Sequence, residues 1–149
     1  MKITVVGAGY VGLVCGACFS DLGNHVICVD VDPRRVFELQ QGLLPIHEPG
    51  LLELVRRNVQ AGRLEFSTNL DRAIGHGILI FLALPTPSAE DGSADSQHVL
   101  SVAREIGRVM TEYKVIINKS TVPVGTADLV RNLVQSELLV RGKIGRAHV

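Results

Sequence analysis

The stretch Ile3-Thr4-Val5-Val6-Gly7-Ala8-Gly9-Tyr10-Val11-Gly12-Leu13 decides the fold. A short apolar, β-branched run passes directly into glycines spaced G-x-G-x-x-G, and a helix-length pattern follows. Each glycine has its own task. Gly7 permits a tight turn, Gly9 lets the backbone approach a pyrophosphate, and Gly12 lets helix and strand pack closely. The helix start then offers free N–H groups and the positive end of its dipole to phosphate. Asp30 ends the second apolar run, eighteen positions after Gly12, where a carboxylate can accept hydrogen bonds from ribose hydroxyls. A lone glycine pattern can be an ordinary flexible turn, but the strand before it, the helix after it and the acid in register argue for a dinucleotide site. A 2′-phosphate would be repelled by Asp30, which favours NAD over NADP, although Arg34 and Arg35 follow closely and could pair with a phosphate. FAD shares the fingerprint and stays a minor alternative.

Outward from this stretch, strand-length runs at Ile3–Val6, Val26–Val31, Leu64–Ser67, Ile78–Leu84 and Val115–Asn118 alternate with helix patterns. The helices are expected at Val11–Leu22, Pro33–Gln41, Gly50–Ala61, Leu70–Ile74, Gln97–Glu112 and Thr126–Leu138. Pro33 and Pro49 are placed as first helical residues, where a missing N–H costs nothing, and Asp95 as a cap. Alternating β and α of this kind predicts an α/β, doubly wound parallel sheet of Rossmann type, with ligands outside the carboxyl ends of the strands. The segment Pro85–Ser96, rich in Pro, Ser, Asp and Gly, is a long loop at one such end. There is no internal repeat and no low-complexity segment.

With 149 residues, one domain is the expectation. Fifteen basic side chains balance fifteen acidic ones without a run of either sign, which excludes an electrostatic footprint for nucleic acid or an anionic membrane. No signal peptide and no membrane-length apolar segment is read. Cys15, Cys18 and Cys28 are odd in number and read as buried free thiols, which suits a reducing cytoplasmic setting. His25, His47, His76 and His98 lack metal-ligand spacing and read as ordinary polar or packing residues, so no metal is expected.

Three further segments carry a resemblance: Pro45-Ile46-His47-Glu48-Pro49-Gly50-Leu51, Leu84-Pro85-Thr86-Pro87, and Lys119-Ser120-Thr121-Val122-Pro123-Val124-Gly125-Thr126. With the glycine motif, in order and spacing from residue 1 to about residue 140, they closely resemble the UDP-glucose/GDP-mannose dehydrogenase family. The resemblance implies oxidation of C6 of a nucleotide-linked hexose from alcohol to carboxylate with two NAD⁺, the usual product being UDP-glucuronate, a precursor for polysaccharide biosynthesis. It implies that the backbone from Gly7 through Tyr10, Val11 and Gly12 contacts the pyrophosphate. Asp30 would hold the adenosine ribose, Arg35 would lie beside the adenine end, and Thr86 would line the cofactor groove. Thr121 would stand beside the nicotinamide and the reacting carbon, where its hydroxyl could help hold a catalytic water. Two readings stay open: Ser120-Thr121 as a turn cap before Pro123, and Glu48 as either a structural carboxylate near a helix start or a substrate-side group.

The chain also departs from the family. The cysteine nucleophile of the second oxidation step matches none of Cys15, Cys18 or Cys28. The lysine of the substrate lobe, the central helix and the UDP-sugar-binding domain are absent as well. The resemblance implies a homo-oligomer of the full-length enzyme, with contacts largely through that central helix. Ile144-Gly145-Arg146-Ala147-His148-Val149 matches one reading frame of a common sequencing adapter, so about 144–149 is set aside as a non-native tail and the chain is read as an NAD-binding fragment. As a fragment it is expected to expose apolar area. Competing readings are a dehydrogenase of GDP-mannose or UDP-N-acetylmannosamine and a non-catalytic nucleotide-binding module on the same fold.

Overall fold

The computed structural model describes residues 1–88, 92 and 94–142, and the backbone of 147–148. Of the Pro85–Ser96 loop and the 144–149 tail, the remainder lies outside the described residues. Strands β1 (Lys2–Val6), β2 (His25–Val29), β3 (Leu64–Ser67), β4 (Leu79–Leu82) and β5 (Lys114–Asn118) match the five expected runs. The helices are α1 (Tyr10–Asp21), α2 (Pro33–Gln40), α3 (Leu51–Gln60), α4 (Leu70–His76), α5 (Gln97–Val109) and α6 (Thr126–Val140). The backbone of Ala147–His148, which the sequence set aside, pairs beside β5 as a two-residue β6. A strand edge carries open N–H and C=O groups that accept any extended backbone. The sheet is parallel throughout, in the order β3-β2-β1-β4-β5-β6. This is the doubly wound arrangement, in which the order reverses between β1 and β4.

Side chains sort by period two into two cores. On one face Ile3, Val5, Val26, Cys28, Leu64 and Phe66 meet Leu13 and Ala17 of α1, Val36 and Leu39 of α2, and Leu51 and Val55 of α3. On the other face Val6, Ile27, Val29, Ile80, Leu82 and Ile116 meet α4, α5 and α6 through Ile74, Val99, Ile106, Val130 and Val134. Cover on the first face is incomplete. Leu79 and Phe81 of β4, and their register partners Val115 and Ile117 of β5, stay half-buried there. A parallel sheet ordinarily has both faces covered.

Several expected boundaries move. β4 stops at Leu82 rather than Leu84 because the Leu84 N–H turns to the Ser120 hydroxyl at 2.9 Å. β2 stops at Val29, and α5 ends at Val109 where Met110 turns extended and buries. Pro33 is the first residue of α2, capped by Asp32, whose carboxylate accepts from the Arg34 and Arg35 N–H groups. Pro49 is not a first helical residue: Gly50 intervenes in the left-handed region and α3 begins at Leu51. Asp95 is not the N-cap of α5, a place that Ser96 takes without a side-chain bond; Asp95 stands one residue earlier and accepts from the Gln97 N–H.

The cysteine expectation holds for one residue of three. Cys28 is buried, and desolvation pushes its thiol up to about 12. Cys15 is only partly buried and Cys18 is exposed, because α1 turns its small residues Gly12, Gly16 and Ala17 inward and leaves the cysteines toward its outer side. Among the described residues no helix is long and apolar enough to cross a membrane.

The inner side of α1 and the exposed residue that caps its end give a stability contrast. Leu13→Ala, at a fully buried position, is expected to lower unfolding free energy by about 2–5 kcal/mol. Leu22→Ala, at a position 80% exposed, should change it by no more than about 0.5 kcal/mol. Urea unfolding of both variants would check this, and equal losses would contradict the assigned packing.

Candidate cofactor site

The carboxyl ends of β1, β2, β4 and β5 gather the residues that the sequence marked. At the first of these the chain turns through Gly7, whose φ of +102° suits glycine and strains other residues. A Cβ on Gly7 would lie 2.3 Å from the Ala83 carbonyl oxygen, and one on Gly12 would lie 1.8 Å from that of Gly7. Gly9 differs. A Cβ there meets nothing within 4 Å, so the space over the start of α1 is open. Gly9 is the N-cap and has no side chain to satisfy the N–H groups of the first turn, while the Leu13 N–H is the first to find its helical carbonyl, on Gly9. Unspent N–H groups at an open helix start are what an anion requires.

Asp30 follows β2 and is nearly buried. Its Oδ2 accepts from the Ala8 N–H at 2.8 Å and from Arg35 Nη1 at 3.0 Å, and its Oδ1 accepts from the Asp32 N–H at 3.0 Å. Burial works to raise the Asp30 carboxyl, but the Asp32 and Ala8 N–H groups with the Arg35 guanidinium outweigh it and hold the carboxyl below its ordinary range. A carboxylate has about four acceptor positions. Three are taken, so one position on Oδ1 is open, and a second hydroxyl could be accepted only if Arg35 let go.

Beside Asp30 lies a cavity of about 300 Å³. Gly7, Asp30, Val31 and Arg35 form one wall, and Leu84, Pro85, His98 and Val102 another. The wall given by α5 is not among the sequence expectations, which leave His98 as a polar or packing residue without a role at the site. The available signal was position: His98 opens the helix that follows the ligand-facing loop.

Thr86 is half-buried on the segment after β4, and that loop is closed at its base by the Asp95 N–H on the Pro87 carbonyl. At the end of β5 the pair Ser120-Thr121 separates into two roles. The Ser120 hydroxyl accepts from the Leu84 N–H and donates to the Leu82 carbonyl, so Ser120 carries the turn and ties β5 to β4. Thr121 is left exposed. Tyr10 and Glu48, far apart in sequence, meet: the Tyr10 hydroxyl donates to Glu48 Oε2 at 2.8 Å. An open helix start, a fixed carboxylate and a partly apolar cavity in one row fit an elongated dinucleotide with a pyrophosphate, a ribose diol and a base.

Comparison with known proteins agrees with this geometry. Residues 1–145 match the model of the UDP-glucose/GDP-mannose dehydrogenase family, NAD binding domain. The UDP-glucose 6-dehydrogenase TuaD of Bacillus subtilis is 48% identical over 134 residues, covering 90% of this chain and 29% of its own length. The UDP-glucose 6-dehydrogenase of Pseudomonas aeruginosa is 45% identical over 149 residues, covering 100% of this chain and 33% of its own. A crystal structure of a ternary complex of GDP-mannose dehydrogenase from Pseudomonas aeruginosa superposes with a TM-score of 0.91 at 35% identity, covering 100% of this chain and 35% of that one. The chain thus spans about a third of the length of the curated relatives it matches.

The Asp30 cluster sets a pH dependence. A carboxyl whose folded value is depressed stabilises the fold above its unfolded value of about 3.9, and that contribution is lost as pH falls through the lower folded value. Asp30→Asn is therefore expected to lower Tm at neutral pH and to flatten the acid limb of a Tm-against-pH curve. An unchanged acid limb would show that the cluster contributes nothing to the fold.

Proposed function

The chain belongs to the UDP-glucose/GDP-mannose dehydrogenase family, of which it carries the NAD-binding domain, and on that premise we propose that it serves the NAD-dependent oxidation of C6 of UDP-glucose to UDP-glucuronate. What carries the cofactor half of this reading is Asp30, a carboxylate fixed by three donors at the end of β2 and one strand away from the open start of α1. What favours UDP-glucose is that relatives 48% and 45% identical are named UDP-glucose 6-dehydrogenases. The shape match to a GDP-mannose dehydrogenase keeps that nucleotide sugar as the second reading, since one domain architecture serves enzymes named for different sugars.

In this reading the backbone N–H groups from Gly9 to Gly12, with Tyr10 and Val11 between them, bind the pyrophosphate with the dipole of α1. Asp30 accepts from the adenosine ribose, and its negative charge excludes a 2′-phosphate. Arg35 and Val31 border the adenine end, and Thr86 lines the groove farther along. NAD when bound supplies a hydride acceptor. Thr121 is the candidate catalytic residue: its exposed hydroxyl at the end of β5 holds a water for the reacting carbon. Ser120 keeps that position in place through its two bonds to the end of β4. Cys15, Cys18 and Cys28 lie in the cofactor fold and none is assigned as the nucleophile of the second oxidation, a step this reading leaves to residues outside the 149.

Calorimetric titration of the 149-residue chain is expected to give tighter binding of NADH than of NADPH, with the preference lost in Asp30→Ala. Equal affinities in the unsubstituted chain would contradict the ribose role of Asp30. The same preparation with UDP-glucose and NAD⁺ should form no measurable NADH, and turnover there would overturn the assignment of essential chemistry to the longer chain.

A further inference from the structure

The motif Pro45 to Leu51 remains unexplained by this function, and the structure joins it to the cofactor site at one point, the bond from the Tyr10 hydroxyl to Glu48 Oε2. Tyr10 is the first residue of α1, next to Gly9, and its side chain is half exposed. Glu48 is anchored from both sides. Upstream, the Leu43 N–H donates to the Glu38 carbonyl, and Leu44 and Ile46 pack onto the core. Downstream, the Glu48 carbonyl accepts from the Leu51 N–H at the start of α3. The backbone of Glu48 is thus held in place, and from there its exposed carboxylate reaches the Tyr10 hydroxyl.

A free Tyr10 ring would sample several rotamers, some of them over the N–H groups of the first turn, and ordering it on ligand binding would cost entropy. A carboxylate so near a pyrophosphate site also opposes the ligand by like charge. Its placement there needs a gain that outweighs this. We propose that Glu48 is a positioning residue for the cofactor, holding the Tyr10 ring against the α2–α3 connection so that the open start of α1 stays clear for the pyrophosphate. This rests on the reading that places the pyrophosphate at that helix start.

The test is titration of the 149-residue chain and four variants with NADH. Tyr10→Phe and Glu48→Ala are each expected to weaken binding about five-fold, the worth of one hydrogen bond, with no further loss in the double variant. Glu48→Gln keeps an acceptor and removes the charge, so it should bind at least as tightly as the unsubstituted chain. Alkaline titration of tyrosine absorbance gives an independent signature. Hydrogen bonding to Glu48 and its negative charge raise the Tyr10 phenol above its ordinary value. Glu48→Ala should return it toward about 10. Losses that add in the double variant, or Tyr10→Phe binding as tightly as the unsubstituted chain, would overturn the proposal. If Asp30→Ala still impaired binding in that case, the cofactor reading would survive it, whereas a folded, unsubstituted chain that binds no NADH would remove both.

Discussion

The hydrogen bond from the Ala8 N–H to Asp30 Oδ2 joins the two strand ends on which the site is built. It ties the glycine turn after β1 to the end of β2, and the Gly7 N–H on the Val29 carbonyl adds a second tie. Both ties use N–H groups at the start of the turn. Those of the first turn of α1 are left for a ligand. The turn can fold this tightly only because positions 7 and 12 carry no Cβ, since either Cβ would strike a backbone carbonyl. The close approach of α1 to the sheet, and with it the first core, follows from that.

The same carboxylate shows how the site balances opposing demands. Asp30 is nearly buried, which costs a charge its hydration, and the three donors around it offset that cost. One donor is Arg35, the very side chain that could have welcomed a 2′-phosphate. In the fold it is paired with Asp30, and Arg34 is paired with Glu38. The two arginines that left the choice between NAD and NADP open in the sequence therefore both face carboxylates in the fold. The Arg34–Glu38 pair is exposed, and pairs of that kind contribute little to stability.

The incomplete cover of β4 and β5 agrees with the chain's share of its relatives. Leu79, Phe81, Val115 and Ile117 form one half-buried stripe on a sheet of a kind that is ordinarily covered on both faces. The chain spans about a third of the length of the curated relatives it matches, and this stripe is open to water in it.

The sequence by itself determined the strands, the helices, the glycine turn and the acid at the end of β2, because these depend on local spacing and on steric rules that act within a few residues. It also placed Thr86 and Thr121 at strand ends. It misjudged Pro49, where Gly50 intervenes in the left-handed region, and the ends of β2, β4 and α5; at β4 it is a distant residue, Ser120, that takes the Leu84 N–H. Only the tertiary structure decided that Ser120 rather than Thr121 carries the turn, that Arg35 occupies Asp30, that His98 walls the cavity, and that Tyr10 meets Glu48. Each of these depends on which side chains from separate elements arrive within hydrogen-bonding reach. Packing of helices on the sheet sets that distance, and no periodicity along the chain encodes it.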